Sequence, residues 1–494
     1  MASRVRRAKG AVDRAVRDDR PIADRLAEIR KVAGEGPDAD PELLLRTLSD
    51  SEPTLRQAAA WGLGALKEVR ARTALEASLH DPVPGVRAAA AQALGLIGRP
   101  ESREPLERAL DDPHSGVRSL SAWALWSVGD DRTLPLLLKH RRDIESNVRL
   151  WIATVLGRLG GPTAYAALLE MLSDSSDRVR RQAVLSVGRF DHEGVAEVVR
   201  PFLTDPARRV RIAAAVVLGR KRDLASVEVL MERLQLDEPW VRPSILVALG
   251  RIGDPRAAAA VAPSVDDRAA WMRVCAIRAL AEMRAPGAAE AIRPHLTDPA
   301  WSVRGSAAEM LGIVGDASDL GRLRERLEDP HPWPRRGAIY ALALLDLTEA
   351  APRIREELRH PTPEVRLAAV WALGRLRDDG AREALVTMLR QLHPSGGAGE
   401  SFAEGDGAVR LISDAPSRLF DTAIQAIGRL RTGDGDVLVA RALSESRAAL
   451  DDDDLERLAR LPGVEVPPGG VPPTLGQLFE AAWPAATDED ELGC

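Results

Sequence analysis

Residues 81–99 read DPVPGVRAAAAQALGLIGR, and residues 298–316 read DPAWSVRGSAAEMLGIVGD. Both open on Asp-Pro, carry a Val-Arg pair and close on small residues before Leu-Gly. With the arginine as origin, the same slot is filled at Arg56, Arg87, Arg118, Arg149, Arg180, Arg211, Arg242, Arg273, Arg304, Arg335 and Arg366, at a constant step of 31 residues. An aspartate stands six positions earlier in every copy except two, where Leu236 (with Asp237 beside it) and His360 replace it. Eight positions after the arginine comes Gly64, Gly95, Gly157, Gly188, Gly219, Gly250, Gly312 or Gly374. A chain of 494 residues would ordinarily suggest about three domains, but a period this strict reads as an array of one small unit. Asp19 and Arg25 stand one step before Arg56, which marks residues 1–40 as a degenerate capping copy ahead of regular repeats over 41–390.

Each copy reads as two helices. The first carries leucines at helical spacing, as in REALVTMLRQL over 382–392. The second follows the aspartate, which can accept bonds from unpaired N–H groups at a helix start, with the proline expected at the first helical position. On a helical wheel the residue before the arginine (Val86, Val117, Val303), the third after it (Ala90, Ala183, Ala307) and the seventh (Leu94, Leu218, Leu311) share a core face. Positions one, five and eight turn outward. At 8–10 Å per packed helix, roughly a dozen pairs extend on the order of 100 Å. The expected fold class is all-α, a right-handed α–α superhelical solenoid.

The pattern Asp-Pro-x-x-x-Val-Arg-x-x-Ala-x-x-Ala-Leu-Gly resembles the HEAT-repeat family, in particular the short bacterial repeats of the phycobilisome-lyase type, over about residues 19–430. The resemblance implies ladders of aspartate and arginine between adjacent repeats and second helices lining a concave surface. Leu236 and His360 would break that ladder. The family includes deoxyhypusine hydroxylase, whose iron site needs several His-Glu pairs, whereas only His192-Glu193 occurs here. A metal site, a cofactor and a catalytic constellation are therefore not expected. A bilin-lyase-like or other assembly-factor role rests on the resemblance to the lyase-type repeats.

Composition agrees with a protein scaffold. The 68 basic and 74 acidic residues give a net charge of −6, against a dedicated nucleic-acid binder. No apolar run approaches the ~20 residues of a membrane span. The two cysteines, Cys275 and Cys494, make no disulfide framework, so a soluble cytoplasmic protein is expected. Of the 17 aromatic residues ten are tryptophan. Trp61, Trp123, Trp371 and Tyr340 occupy the outward fifth slot and Trp126 the eighth, with Leu150, Leu185, Ile212 and Val216 between them. A second set, Trp240, Trp271, Trp301 and Trp333, falls two or three residues before the arginine in four consecutive repeats and predicts an aromatic stripe along one edge. Such side chains either seal gaps between repeats or anchor a protein or peptide partner, because tryptophan dominates interface hot spots.

Nine positions after the origin, Arg158, Arg189, Arg220 and Arg251 line up, with Arg208, Arg209, Lys221 and Arg222 nearby. Cations there complement helix C-termini and bond spare carbonyls, and a nucleic-acid path along them is the alternative partner reading. Residues 391–416 break the period with a Gly-, Ser- and acid-rich insertion, expected to be a mobile loop. Residues 417–462 supply the last repeats and a cap. Over 463–494 a Pro-Gly linker precedes Leu475, Leu478, Phe479 and Trp483, which share one face of a short amphipathic segment before an acidic end. That motif is expected to dock on the chain's own groove or on a partner. The function read from these features is a non-enzymatic protein-binding scaffold using the tryptophan-lined surface.

Overall fold

The computed structural model describes residues 20–34 and 40–385. The expected loop over 391–416, the repeats over 417–462 and the tail motif Leu475, Leu478, Phe479 and Trp483 lie outside the described residues. Every regular element described is helical, and the chain divides into two compact units, residues 1–345 and 346–494.

In the first unit the second helices of successive repeats are α1 (Pro53–Ala65), α2 (Pro84–Ile97), α3 (Ser115–Val128), α4 (Ser146–Leu159), α5 (Asp177–Val187), α6 (Arg208–Lys221), α7 (Arg242–Ile252), α8 (Ala270–Glu282), α9 (Trp301–Val314) and α10 (Pro332–Leu344). Each packs on the next, so they form one continuous layer. The shorter first helices, such as Arg103–Ala109 and Leu134–His140, each lie against the second helix that follows. Val86, Ala90, Leu94, Ala183, Leu218 and Leu311 are fully buried, which is the core face the wheel assigned. The second unit contributes α11 (Pro363–Arg375), where Val365, Ala369 and Leu373 are fully buried in the same register.

The repeat arginines and aspartates form the ladder. Arg56 Nε donates to Asp81 Oδ2 at 2.7 Å and its Nη2 to Oδ1 at 2.9 Å, while Nη1 holds the Asp50 carbonyl at 2.8 Å. The same bidentate pair recurs from Arg87 to Asp112, Arg118 to Asp143, Arg149 to Asp174, Arg180 to Asp205, Arg273 to Asp298 and Arg304 to Asp329. Arg25, on the helix Ile22–Gly34, reaches forward to Asp50 through a single bond from Nη2 to Oδ2.

The Asp-Pro turn corrects the expected cap. Pro82, Pro206 and Pro299 stand two residues ahead of the helices that begin at Pro84, Arg208 and Trp301, not at their first position. The reason is that the carboxylate is already committed. Asp81 accepts the Val83 N–H at 2.9 Å and Asp298 that of Ala300 at 2.8 Å, which closes an Asx turn, and an extended residue then leads into the helix.

At Leu236 the expected break is real. Asp237 sits one residue closer to its arginine, and α7 starts at Arg242 itself instead of three residues before. Arg211 still reaches Asp237 at 2.8 Å and Glu238 at 3.2 Å, but Arg242 turns back to the carbonyls of Asp237 and Gln235 instead of forward to Asp267. His360, by contrast, keeps its turn regular: Nδ1 accepts the Thr362 N–H at 3.0 Å and the carbonyl accepts Arg366 Nη1 at 2.8 Å.

The glycine of the repeat marks the closest approach of neighbouring second helices. A Cβ on Gly64 would lie 2.6 Å from Ala93 Cα, and one on Gly219 would lie 2.8 Å from Ala248 Cα, both backbone atoms. The eighth slot therefore faces the next helix, not solvent as the wheel suggested. We expect Gly219→Ala to destabilise the fold by about 1–3 kcal/mol through overpacking. Gly321→Ala, in a helix with nothing within 4 Å of the new atom, should stabilise by about 0.5–1 kcal/mol. Urea unfolding of the two variants separates these outcomes, and equal effects would refute the close-approach role.

Titration of the ladder sets a second expectation. At Asp81 the Arg56 bond is the largest influence and holds the carboxyl below its usual range. At Asp112, Asp143, Asp174, Asp205, Asp298 and Asp329 burial is the largest influence and pushes upward, yet the arginine, the turn N–H and nearby cations outweigh it, so these also lie low. Groups lowered in the folded state contribute stability that is complete above the unfolded value of about 3.9 and is lost as pH falls through the folded values. Melting followed by circular dichroism should be level between about pH 7 and 5 and drop steeply below about 4. A level profile down to about pH 3 would contradict a contributing ladder.

Candidate functional site

On each second helix the positions two before, one after and five after the ladder arginine lie within about 60° of one another at 100° per residue. They form the outer face of the layer. Among the predicted site residues, the structure separates those that seal from those that stand free. Trp123 is half-buried and meets Trp151, at the second position of the next repeat, edge-on at 6.3 Å and 81°. A Cβ on Gly95 would fall 2.7 Å from the Trp123 ring, so this tryptophan fills the joint between α2 and α3. Tyr340 is half-buried, and burial pushes its phenol above the ordinary value. In the second unit Trp371 is half-buried with the Arg375 guanidinium 5.9 Å from its ring centre.

The exposed members are Trp61 and Trp126 at 48 % and 46 %, Trp271 and Trp301 at 41 % and 44 %, and Trp240 at 69 %. Trp126 replaces the repeat glycine at the eighth slot and keeps its exposure. The edge set falls into two groups. Trp240 and Trp271 stack in parallel, 6.0 Å apart at 9°. Trp301 lies flat on His331 at 4.1 Å and tilts toward Trp333 at 6.1 Å, and the Arg336 guanidinium covers Trp333 at 4.3 Å. Trp333 is thereby half-buried. His331 and Arg336 were not read as site residues from the sequence, although they stand only two residues before and three residues after Trp333.

The aligned arginines do not act as one stripe. Arg158 reaches back to the preceding repeat, where Nη2 donates to the carbonyls of Gly129 at 2.6 Å and Leu125 at 3.3 Å, closing the end of α3. Burial, then Arg189, lowers its affinity for the proton. Lys221 does the same for the Phe190 carbonyl at 2.6 Å. Arg189 and Arg220 are exposed, and Arg251 is half-buried. On the outer face, burial first and then the nearby cations Arg209 and Arg178 lower the hold of Arg181 on its proton.

Among the described residues no three His, Cys, Asp or Glu side chains come together to hold a metal ion. His192 stacks on Tyr165 at 5.0 Å. His295 is buried beside Asp298 because the end of its short first helix packs beneath α9. Cys275 is half-buried, and desolvation pushes its thiol up to about 11, which leaves it unreactive at neutral pH. No described helix is long and apolar enough to cross a membrane.

A ladder-bonded array of helix pairs with a continuous second-helix layer defines an α-solenoid of the HEAT type. The HEAT-repeat profile matches residues 13–94, 79–145, 139–218, 196–275, 265–343 and 322–395, and the chain belongs to the HEAT-repeat family. No curated protein matches it. Its fold is similar to that in the Kap95:Nup1 complex, with TM-score 0.58 and 13 % identity over 86 % of this chain and 73 % of that one. Yeast importin-β (Kap95p) matches with TM-score 0.54 and 12 % identity over 88 % and 71 % of the two chains. At such identity the likeness is one of fold.

The two tryptophan environments predict opposite costs. Trp240→Ala should change unfolding free energy by no more than about 0.5 kcal/mol, as exposed sites do, whereas Trp123→Ala should cost about 3 kcal/mol or more. Urea denaturation checks both, and a large loss at Trp240 would make it a packing residue.

Proposed function

We propose that the protein is a non-enzymatic scaffold that holds a protein or peptide partner on the outer face of its second-helix layer, with the edge tryptophans as anchors. The observation that carries this reading is the Trp240–Trp271 pair: two large rings meet each other in solvent, with Trp240 69 % exposed, instead of filling the joint between repeats. Stacked indoles present rigid area at low entropic cost, which suits an interface hot spot. The family is one of scaffold solenoids, and a fold neighbour is described in complex with Nup1. A nucleic-acid path along Arg158, Arg189, Arg220 and Arg251 has less support, since Arg158 is committed to carbonyls. The lyase-type assembly role rests on the short repeats alone. The cytoplasm is the compartment this reading implies.

The test is a partner-binding measurement on the variant Trp240→Ala/Trp271→Ala/Trp333→Ala, using a partner identified by affinity purification from the native cell. Affinity should fall by about 2–4 kcal/mol, as hot-spot truncation does, with helicity retained. A melting temperature sharply lowered with binding intact would establish sealing instead.

A further inference from the structure

The Trp301–Trp333 end of the tryptophan edge carries a cation. Arg336 stands one position after its ladder arginine on α10, and its guanidinium lies 4.3 Å from the centre of the Trp333 ring and 5.7 Å from that of Tyr340. The residue is only 7 % exposed. Among the described residues no carboxylate comes within ion-pair distance of it, that of Glu309 on α9 included, and none supplies its guanidinium with a hydrogen-bond acceptor. Its nitrogens are nevertheless not sealed from solvent. Arg335 beside it shows what this helix does with an arginine that serves the fold: its Nε donates to the Asp329 carbonyl at 2.6 Å.

Packing fixes the surroundings of that cation. A Cβ on Gly337 would lie 2.6 Å from the Gly305 carbonyl oxygen, so α9 and α10 meet backbone to backbone and the long Arg336 side chain runs along the edge of the joint. His331 Nδ1 accepts the Trp333 N–H at 3.2 Å, and its ring lies flat against Trp301 at 4.1 Å and 11°. Trp301 itself stays 44 % exposed, 6.1 Å from Trp333. Contacts with rings leave the N–H donors of the guanidinium unpaired, and their planar fork matches a carboxylate.

We propose that Arg336, walled by Trp301, Trp333 and Tyr340, is a socket for the side-chain carboxylate of a glutamate in a peptide partner, with an aromatic residue two positions away lying on Trp301. This rests on the scaffold reading above and adds the chemistry of one contact. The ligand supplies the counter-charge that the buried guanidinium lacks, through two parallel charge-assisted bonds. A glutamate suits the socket better than a chain end because the guanidinium is almost wholly covered, so the carboxylate has to arrive on a stem. One guanidinium carries one charge, which a carboxylate matches and a phosphate dianion exceeds. In an extended peptide alternate side chains share a face and recur about every 6.6 Å. That step is close to the 6.1 Å between the Trp333 and Trp301 ring centres.

The test uses the full chain and a fluorescein-labelled peptide in which a phenylalanine stands two residues before a single glutamate, between Gly-Ser flanks and with an amidated end, read by fluorescence anisotropy. Affinity should fall about tenfold or more when glutamine replaces the glutamate. Arg336→Lys should lose about as much, since an ammonium keeps the charge and not the fork. Trp301→Ala should weaken binding of the phenylalanine peptide and leave a version with alanine in that place unchanged. Circular dichroism shows whether each variant is folded, and the comparison of glutamate and glutamine peptides on the unaltered chain needs no variant. Equal affinity for those two peptides, or no binding of either at millimolar concentration, would overturn the proposal, as would unchanged binding by folded Arg336→Lys. Tighter binding of a phosphoserine peptide would make the socket one for phosphate, and full affinity restored by a free C-terminal carboxylate on the glutamine peptide would make it one for chain ends; either result overturns the assignment to glutamate. If Trp240→Ala/Trp271→Ala loses the native partner while Arg336→Lys keeps it, the scaffold reading stands and this inference falls. If Arg336→Lys abolishes the preference for glutamate while the tryptophan variant keeps the native partner, this inference stands and the anchor role of that pair falls.

Discussion

Arg149 sends two parallel hydrogen bonds to Asp174 and keeps its remaining nitrogen on the carbonyl of Asp143, so one guanidinium ties the turn of its own repeat to the turn of the next. The aspartate also holds the N–H two residues on, at Ser176. Sliding one helix by a residue breaks all of these bonds at once. Desolvation offsets much of the attraction in a half-buried pair, and the main contribution of the pair is register. A core of alanine and leucine tolerates small shifts. A glycine that must meet the backbone of one particular alanine does not, and only a fixed register lets Gly64 find Ala93 or Gly219 find Ala248.

That register explains what could be read before the structure was known. A ladder arginine and its aspartate recur at fixed spacing because they bond across repeats, so the period exposed them, and with them the fold class and the core face. The Asp-Pro turn was misread because a cap and an Asx turn have the same sequence signature, although the claim on the carboxylate by an arginine 25 residues upstream was already implied by the expected ladder. The wheel turned Trp61 outward, and it is exposed. It could not place Trp123, whose burial depends on Trp151 of another helix. Arg336 was missed for the opposite reason. Arginine is common in this chain, and only the lack of a carboxylate partner among the described residues distinguishes it.

The lost rung and the exposed indole share one cause. With Asp237 one residue closer to its arginine, α7 begins late, and Trp240 falls in the turn instead of the helix. Its ring is free to lie over Trp271, one repeat on. A departure from the repeat that looks like degeneration thus creates the aromatic surface.

The ladder also has a direction, since every ladder arginine that bonds a neighbouring repeat's aspartate reaches forward to it, as Arg118 does to Asp143 and Arg273 to Asp298. Where Arg242 withholds its bond from Asp267, the coupling between neighbouring repeats rests on apolar packing alone. In a quasi-one-dimensional array such a place is a domain wall: the repeats before it and the repeats after it can each melt as a cooperative block. The same two rings that span the wall are those proposed as partner anchors. Occupying them would splice the blocks together, so that the bound array resists pulling and proteolysis at the point where the free one yields first.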